Sequence, residues 1–280
     1  MKKIIAGSSS HILAYNLAKT FEIPVAKTTI KRFPDGELYV RLHETMDEAI
    51  IVQNTYPDEN IIELLFLQDA VRRVGADIIC VVVPYYGYGR QDRVFEEGEA
   101  VSAAKLAHLI QQDANMIITI DPHKDYITEF FDIPARACSA VNDIACFFSG
   151  RVDMVLAPDR GAIDRAKAAA DVIKCPYDYL DKKRISGKKV IMQPKELDIS
   201  QSAVLIIDDI ISTGGTMTET IKNLKEQGAE EIFAACSHGL FAGKAVEQMT
   251  AAGCDEIVAT DTVESAYSTI SVAPTVAACL

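Results

Sequence analysis

Apolar residues gather in short β-branched runs that recur along the chain: Ile4-Ile5, Ala49 to Val52, Ile78 to Val83, Met116 to Ile120, Met154 to Leu156, Val204 to Ile207, Ile232 to Ala235 and Ile257 to Ala259. Runs without polar alternation predict strands covered on both faces. Between several of them the apolar positions step by three and four, as in Leu64-Leu65-Leu67-Gln68-Ala70-Val71 and Met217-Thr220-Ile221-Leu224, the spacing of an amphipathic helix. Strands that alternate with helices predict an α/β fold with mainly parallel sheets flanked by helices. Three junctions repeat one pattern: Val74-Gly75-Ala76-Asp77-Ile78, Gln227-Gly228-Ala229-Glu230-Glu231-Ile232 and Ala252-Gly253-Cys254-Asp255-Glu256-Ile257. Each places Gly where a helix ends and a strand begins, a position that favours positive φ. Such junctions suit two similar halves, and they also occur in any α/β protein. A polar break at Ser149-Gly150-Arg151 follows the apolar helix expected over Val141 to Phe148, so the domains are expected at 1–148 and 149–280.

The length of 280 residues agrees with two domains of roughly 150 each. Hydrophobic residues at 49% and charged residues at 24% exclude collagenous, low-complexity and coiled-coil classes. Lys and Arg total 28 against 40 Asp and Glu, a net charge of -12 that repels a nucleic-acid backbone, so no nucleic-acid partner is expected. A small anionic substrate would need a local cluster of cations. One exists at Lys182-Lys183-Arg184 with Lys188-Lys189, and Gly187 lies inside it, as expected for a mobile loop that closes on anions. The seven cysteines are odd in number, widely spaced and mostly in apolar surroundings, which reads as reduced core thiols. No CxxC pair and no HxxxH spacing among five histidines points to structural zinc. The apolar start ends at Gly7-Ser8-Ser9-Ser10, too early for a secretion signal. The charge-free stretch from Ser265 to Leu280 is Ser/Thr-rich, contains Pro274 and is too short to span a membrane. A cytoplasmic protein without a membrane partner is expected.

The densest chemistry lies in Val204-Leu205-Ile206-Ile207-Asp208-Asp209-Ile210-Ile211-Ser212-Thr213-Gly214-Gly215-Thr216. A buried strand ends in two acids, and a turn of small residues opens a helix, the place where open α/β sheets bind ligands. Gly214 and Gly215 allow a nest of backbone N–H groups, the helix N-terminus adds positive potential, and Ser212, Thr213 and Thr216 offer hydroxyls: a phosphate cradle. Asp208 and Asp209 can accept from sugar hydroxyls or hold Mg²⁺. An ordinary acidic N-cap turn would account for one acid and the glycines but not for the set. Gly87-x-Gly89 is followed by Asp92 instead of a third glycine, and no GxxxxGK[ST] occurs, so neither a Rossmann dinucleotide site nor a P-loop is present.

This loop closely resembles the phosphoribosyl pyrophosphate loop of phosphoribosyltransferase-fold proteins. Phe33-Pro34-Asp35-Gly36-Glu37, Pro84 to Arg93, Asp121-Pro122-His123, Ala157-Pro158-Asp159-Arg160-Gly161 and Asp181-Lys182-Lys183-Arg184 follow the order of the ribose-phosphate pyrophosphokinase family, from the N-terminus to about Thr262. The resemblance implies two phosphoribosyltransferase-like domains and transfer of the diphosphoryl group of ATP to the C1 hydroxyl of ribose 5-phosphate, giving AMP, for nucleotide biosynthesis. It implies ATP binding by Phe33, Asp35, Gly36 and Glu37, reaching in from a neighbouring subunit, and by Arg90 and Gln91. Ribose 5-phosphate would be bound by Arg184, Asp208, Asp209, Ser212, Thr213, Gly214, Gly215 and Thr216, with Lys182 and Arg184 catalytic. Mg²⁺ is the implied cofactor, at His123 and Asp159. Taken alone, Asp35-Gly36 would be a hairpin turn, and a His beside an Asp a surface pair.

Two departures stand out. Many bacterial members carry Asp where this chain has Ser212, and the chain beyond Val263 is short, a pattern that resembles the archaeal type and puts bacterial nucleotide feedback in doubt. Two rival readings remain: a nucleobase phosphoribosyltransferase, which would leave Phe33 to Glu37 and Arg90-Gln91 unexplained, and a non-catalytic regulatory relative, against which Lys182 and Arg184 argue.

Overall fold

The computed structural model describes residues 1–180, 182–186, 189–192 and 199–280, with 182–186 and 189–192 described by backbone course alone. Each apolar run named above lies within a strand. The chain forms two compact units, one of residues 1–139, 261–264 and 271–280, the other of residues 140–260 and 265–270.

The first unit runs β1 (Lys2–Ala6), α1 (His11–Phe21), β2 (Thr28–Arg32), β3 (Leu38–Leu42), β4 (Glu48–Val52), α2 (Glu59–Arg73), β5 (Ile78–Val83), α3 (Ser102–Ile110), β6 (Met116–Ile120) and β7 (Ala135–Cys138). Strands β1, β4, β5, β6 and β7 lie side by side in that order, all parallel. Leu64, Leu67 and Val71 of α2 and Leu106 and Ile110 of α3 bury their apolar stripes in its core. This cover on the sheet faces is why the strands read as continuous apolar runs. The β2–β3 hairpin pairs antiparallel and is half exposed, with charged residues interleaved, so no apolar run announces it.

The second unit runs α4 (Val141–Phe148), β8 (Met154–Ala157), α5 (Ile163–Ile173), β9 (Tyr177–Tyr179), β10 (Lys182–Ser186), β11 (Lys189–Met192), β12 (Ala203–Ile211), α6 (Gly215–Glu226), β13 (Glu231–Gly239), α7 (Ala245–Ala251), β14 (Glu256–Thr260) and β15 (Ser268–Ile270). Its sheet is parallel throughout, in the order β15-β14-β13-β12-β8-β9, and β10 and β11 form a separate antiparallel pair. Gly75, Gly228 and Gly253 take φ of +105°, +88° and +103°, the helix-ending conformation that their junctions predicted.

The units part ahead of the expected break at 148/149. Helix α4 belongs to the second unit because its apolar face is buried there: the Phe148 ring packs 5.5 Å from that of Phe233, and the Arg151 guanidinium lies 5.0 Å from the Phe148 ring and 5.1 Å from that of Phe233. The end of the chain returns to the first unit. Asn16 Nδ2 donates to Asp261 Oδ2 and to Ser271 Oγ, both at 3.0 Å, and the Val272 N–H donates to Asp261 Oδ1 at 2.9 Å. Burial pushes the Asp261 carboxyl above its ordinary value, and these donors pull it back.

The thiols differ from expectation at one pair. Cys138 at the end of β7 and Cys279 in α8 (Ala273–Cys279) form a disulfide, closing a separation of 141 residues. Their spacing hides the pairing, because α8 reaches β7 only through the return of the C-terminus. Arg136 Nη1 also donates to the Cys279 carbonyl, at 2.7 Å. Of the free cysteines, Cys80, Cys236 and Cys254 are buried, and burial pushes all three thiols up, those of Cys80 and Cys254 to about 12. No helix among the described residues is long and apolar enough to cross a membrane. A cross-link closing 141 residues removes chain entropy worth about 5 kcal/mol at most. Urea unfolding with and without reductant, with Cys138→Ser/Cys279→Ser as the open standard, should show a loss of up to that size. Coincident curves would mean that the link contributes nothing to stability.

Candidate functional site

The second sheet reverses its order at β8. The chain crosses from β8 through α5 to β9 on one side and then returns to β12 on the other, and in open α/β sheets a crevice opens beyond the strand ends at such a reversal. Pairing is uneven there: β12 pairs with β13 as far as Ile211 opposite Gly239, but with β8 only as far as Ile206 opposite Leu156. The last residues of β12 therefore project beyond β8. Asp208 and Asp209 lie in this overhang, and the strand that the sequence pattern ended at these acids runs on to Ile211.

Helix α5 supplies a partner that sequence reasoning missed. Arg165 Nη1 stands 3.7 Å from Asp208 Oδ1 and 3.8 Å from Asp209 Oδ1, and the three side chains are largely buried. The Asp209 N–H donates to Asp208 Oδ1 at 2.9 Å. Burial raises the Asp208 carboxyl to about 8, the neighbouring Asp209 adds to the shift, and Arg165 and the Asp209 N–H oppose it. Arg165 thus does not fully offset the burial of the Asp208 carboxyl, and a hydroxyl donor or a cation beside it would favour its charged form. The only sequence signal for Arg165 was a cation in a first helical turn, where the macrodipole disfavours it.

The cradle follows. Residues 212–214 turn, Gly214 adopts φ +73°, and α6 begins at Gly215. An added Cβ at Gly214 would lie 3.1–3.2 Å from Ala245 atoms, so both the left-handed backbone and the close approach call for glycine. The N-cap is Gly214 with no side-chain cap, which removes the reading of the acids as an ordinary N-cap. The Thr218 N–H donates to the Gly214 carbonyl at 2.8 Å, so the N–H groups of the preceding turn face out of the helix end. The turn is strapped to the one after β13. Leu240 and Phe241 N–H groups donate to the Ile211 carbonyl at 3.0 and 3.1 Å, and Ala242 N–H to the Ser212 carbonyl at 2.9 Å. Phe241 holds φ +41° and packs edge-on against Tyr267 at 5.2 Å, a strained conformation kept by its surroundings. Asp159, at the mouth of β8, accepts from the Gly161 N–H at 2.9 Å and caps the turn that leads into α5. Lys182 and Arg184 lie on β10, and their side chains fall outside the described residues, as do Gly187 and Lys188.

The remaining predicted residues belong to the first unit. Phe33 to Glu37 form the tip of the β2–β3 hairpin: Phe33 N–H donates to the Glu37 carbonyl at 2.8 Å, Gly36 N–H to the Phe33 carbonyl at 2.9 Å, and Glu37 N–H to Asp35 Oδ1 at 3.1 Å. The exposed Phe33 ring meets Tyr39 edge-on at 5.7 Å. A cavity of about 500 Å³ beside the tip is lined by Arg32, Gly36, Glu37, Glu59, Ile62 and Phe66, and not by Arg90 or Gln91. Those two sit in the turn after β5, where Gln91 Nε2 donates to Glu99 Oε2 at 3.1 Å. That turn does approach His123, since a Cβ on Gly89 would stand 3.5 Å from the His123 Cβ. The serine turn after β1 has a different use. Ser8 donates through N–H and Oγ to the Glu63 carboxylate at 2.6 Å, and Ser9 Oγ donates to Gln53 Oε1 at 2.7 Å, so these hydroxyls are tied into the fold.

Paired acids beside a helix terminus, at a reversal of parallel strands, give the second unit the layout of a phosphoribosyltransferase-type domain, and residues 127–269 match the model of the phosphoribosyl transferase domain. Residues 2–113 match the N-terminal domain of ribose phosphate pyrophosphokinase. The chain belongs to the ribose-phosphate pyrophosphokinase family. It is 38% identical to the ribose-phosphate pyrophosphokinase of Methanopyrus kandleri, covering 98% of this chain and 97% of that one. Identity to the Methanothermobacter thermautotrophicus enzyme of the same name is 40%, covering 98% of each. The crystal structure of phosphoribosylpyrophosphate synthetase from Mycobacterium smegmatis superposes with a TM-score of 0.86 at 27% identity, covering 99% of this chain and 97% of that one.

An aspartate in an unfolded chain titrates near 3.9. Between there and about 8 the folded protein keeps a proton on Asp208 that the unfolded chain has lost, so this group lowers stability as pH rises through that window. Asp208→Asn should match the wild type near pH 4 and exceed it by roughly 1–3 kcal/mol near pH 8, measured by urea unfolding without substrate or divalent cation. A gap that widens toward low pH would contradict the assigned shift.

Proposed function

We propose that this chain moves the β,γ-diphosphoryl group of ATP to the anomeric hydroxyl of ribose 5-phosphate and releases AMP. The observation that carries the reading is the overhang of β12, where Asp208 and Asp209 stand one short turn from the uncapped N-terminus of α6. The spacing suits one small molecule with hydroxyls at one end and a phosphate at the other. The 5-phosphate would accept from the first-turn N–H groups of α6 and from the Ser212, Thr213 and Thr216 hydroxyls, while the ribose hydroxyls donate to Asp208 and Asp209. The Ser212 hydroxyl can donate to the sugar phosphate.

Transfer of a diphosphoryl group depends on alignment and on neutralising charge that spreads over the phosphate oxygens. Lys182 and Arg184 are assigned to that charge. Phe33, Asp35, Gly36, Glu37, Arg90 and Gln91 are assigned to ATP, with the hairpin tip reaching the site of a second copy. The exposed Phe33, Ile62 and Phe66 support such self-association. Mg²⁺ fits the donor chemistry. Asp159 offers carboxylate oxygen and His123 an imidazole, and Mg²⁺ keeps several waters and leans on substrate phosphates, so few protein ligands are needed. Held by either residue, it would withdraw charge from the polyphosphate. The reading places the chain in the cytoplasm, with small-molecule partners and no nucleic acid.

Purified protein given ATP, Mg²⁺ and ribose 5-phosphate should release AMP in equal amount with the phosphoribosyl product, read by chromatography of the nucleotides. ADP as the main product would refute the transfer, and consumption of phosphoribosyl pyrophosphate with a free nucleobase would favour a phosphoribosyltransferase. In a folded Lys182→Ala variant kcat should fall on the order of 10² or more, and turnover at the wild-type rate would move that role elsewhere.

A further inference from the structure

The acid pair of β12 stands in a loose relation to its cation. Arg165 Nη1 lies between the two carboxylates at 3.7 and 3.8 Å, outside hydrogen-bond range of each. A bidentate fork on one carboxylate would use the lone pairs that a sugar hydroxyl needs. A guanidinium held a little farther off balances charge without itself occupying those lone pairs. Its placement has no local reason. Arg165 stands in the first turn of α5, where a cation opposes the helix dipole. Its side chain is only 17% exposed, and its buried Nε has no hydrogen-bond partner. Burying a guanidinium in this way costs free energy that α5 does not recover from its own turn, so the return must come from the acids that it faces.

We infer that Arg165 is a positioning residue for the sugar, holding Asp208 and Asp209 as a paired acceptor for ribose hydroxyls by charge balance and without touching the substrate. The inference rests on the proposed use of these acids for ribose 5-phosphate and adds the residue that makes them usable. Because the role is Coulombic, lysine should substitute for much of it, although it lacks the planar fork. The neutral Arg165→Met keeps the volume of the stem and removes the charge.

Steady-state kinetics on the full-length protein separates the alternatives. Arg165→Met should raise KM for ribose 5-phosphate on the order of tenfold or more. KM for ATP should move less than about threefold, and Arg165→Lys should recover most of the loss. A merely structural residue would move both KM values together, or would be rescued no better by lysine than by methionine, and either result overturns the inference. So does a folded Arg165→Met with wild-type KM for ribose 5-phosphate. Should the methionine variant not fold, Arg165→Lys decides alone: a tenfold rise in that KM with an unchanged melting temperature overturns the charge role. Calorimetric titration of ribose 5-phosphate into wild-type and variant protein reads the same loss without turnover. If wild-type protein binds the sugar phosphate but releases no AMP, the transfer reading fails while this one still stands or falls on the variant.

Discussion

Taking a carboxylate out of water costs several kcal/mol unless a partner restores what the solvent supplied, and the end of β12 does this twice in adjacent residues. Asp208 and Asp209 share one guanidinium, and the lifted Asp208 carboxyl records how incomplete that compensation is. Much of the second unit answers to this. Strand β12 has to outrun β8 to leave the acids open on one side, yet stay paired with β13 to keep them rigid. Helix α5 carries its arginine in a turn where the dipole disfavours it. The turn after β13, strained at Phe241, donates three N–H groups to the backbone of the acid loop. In the proposed function, ribose hydroxyls would relieve the same imbalance.

The strand-end turns of the two units show how similar materials take different roles. After β1, small polar residues follow a buried strand and open a helix, much as they do after β12. There the buried Glu63 and Gln53 engage the Ser8 and Ser9 groups directly. After β12 the acids come before the turn, and the N-cap is a glycine with no side chain to satisfy the helix end. Ser8 and Ser9 are thus tied into the fold, although Ser10, the N-cap of α1, makes no side-chain cap either. The first sheet also keeps its strands in sequence order and has no reversal at which a crevice would open.

Legibility followed burial. Strands covered on both faces were readable as apolar runs, and the junction glycines as helix ends, because each reflects a local rule that the chain obeys wherever it folds. Tyr177 to Leu180 reads as strand-like and holds β9, whereas the β2–β3 hairpin, the edge strands β7 and β15, and the β10–β11 pair were not readable as strands. They are short or half exposed, and their polar residues hide the period. Helix α4 was seen, but its allegiance was not, since nothing in Val141 to Phe148 says which sheet will cover Phe148. The Cys138–Cys279 link was misread as free thiols for the same reason: proximity across 141 residues is a property of the returning C-terminus.

By itself the sequence determined the alternation of strands and helices, the acids and glycines of the cradle, and through its ordered motifs the family. These are matters of residue type and near-neighbour spacing, which dihedral preference and periodicity translate directly. Only the tertiary structure decided that Arg165 faces Asp208 and Asp209, that the turn after β13 straps the cradle, and that β12 projects past β8. Those relations join segments dozens of residues apart. They are set by strand order and by the length of each pairing, and the physics that fixes them is the burial of whole sheet faces, in which no single residue carries the signal.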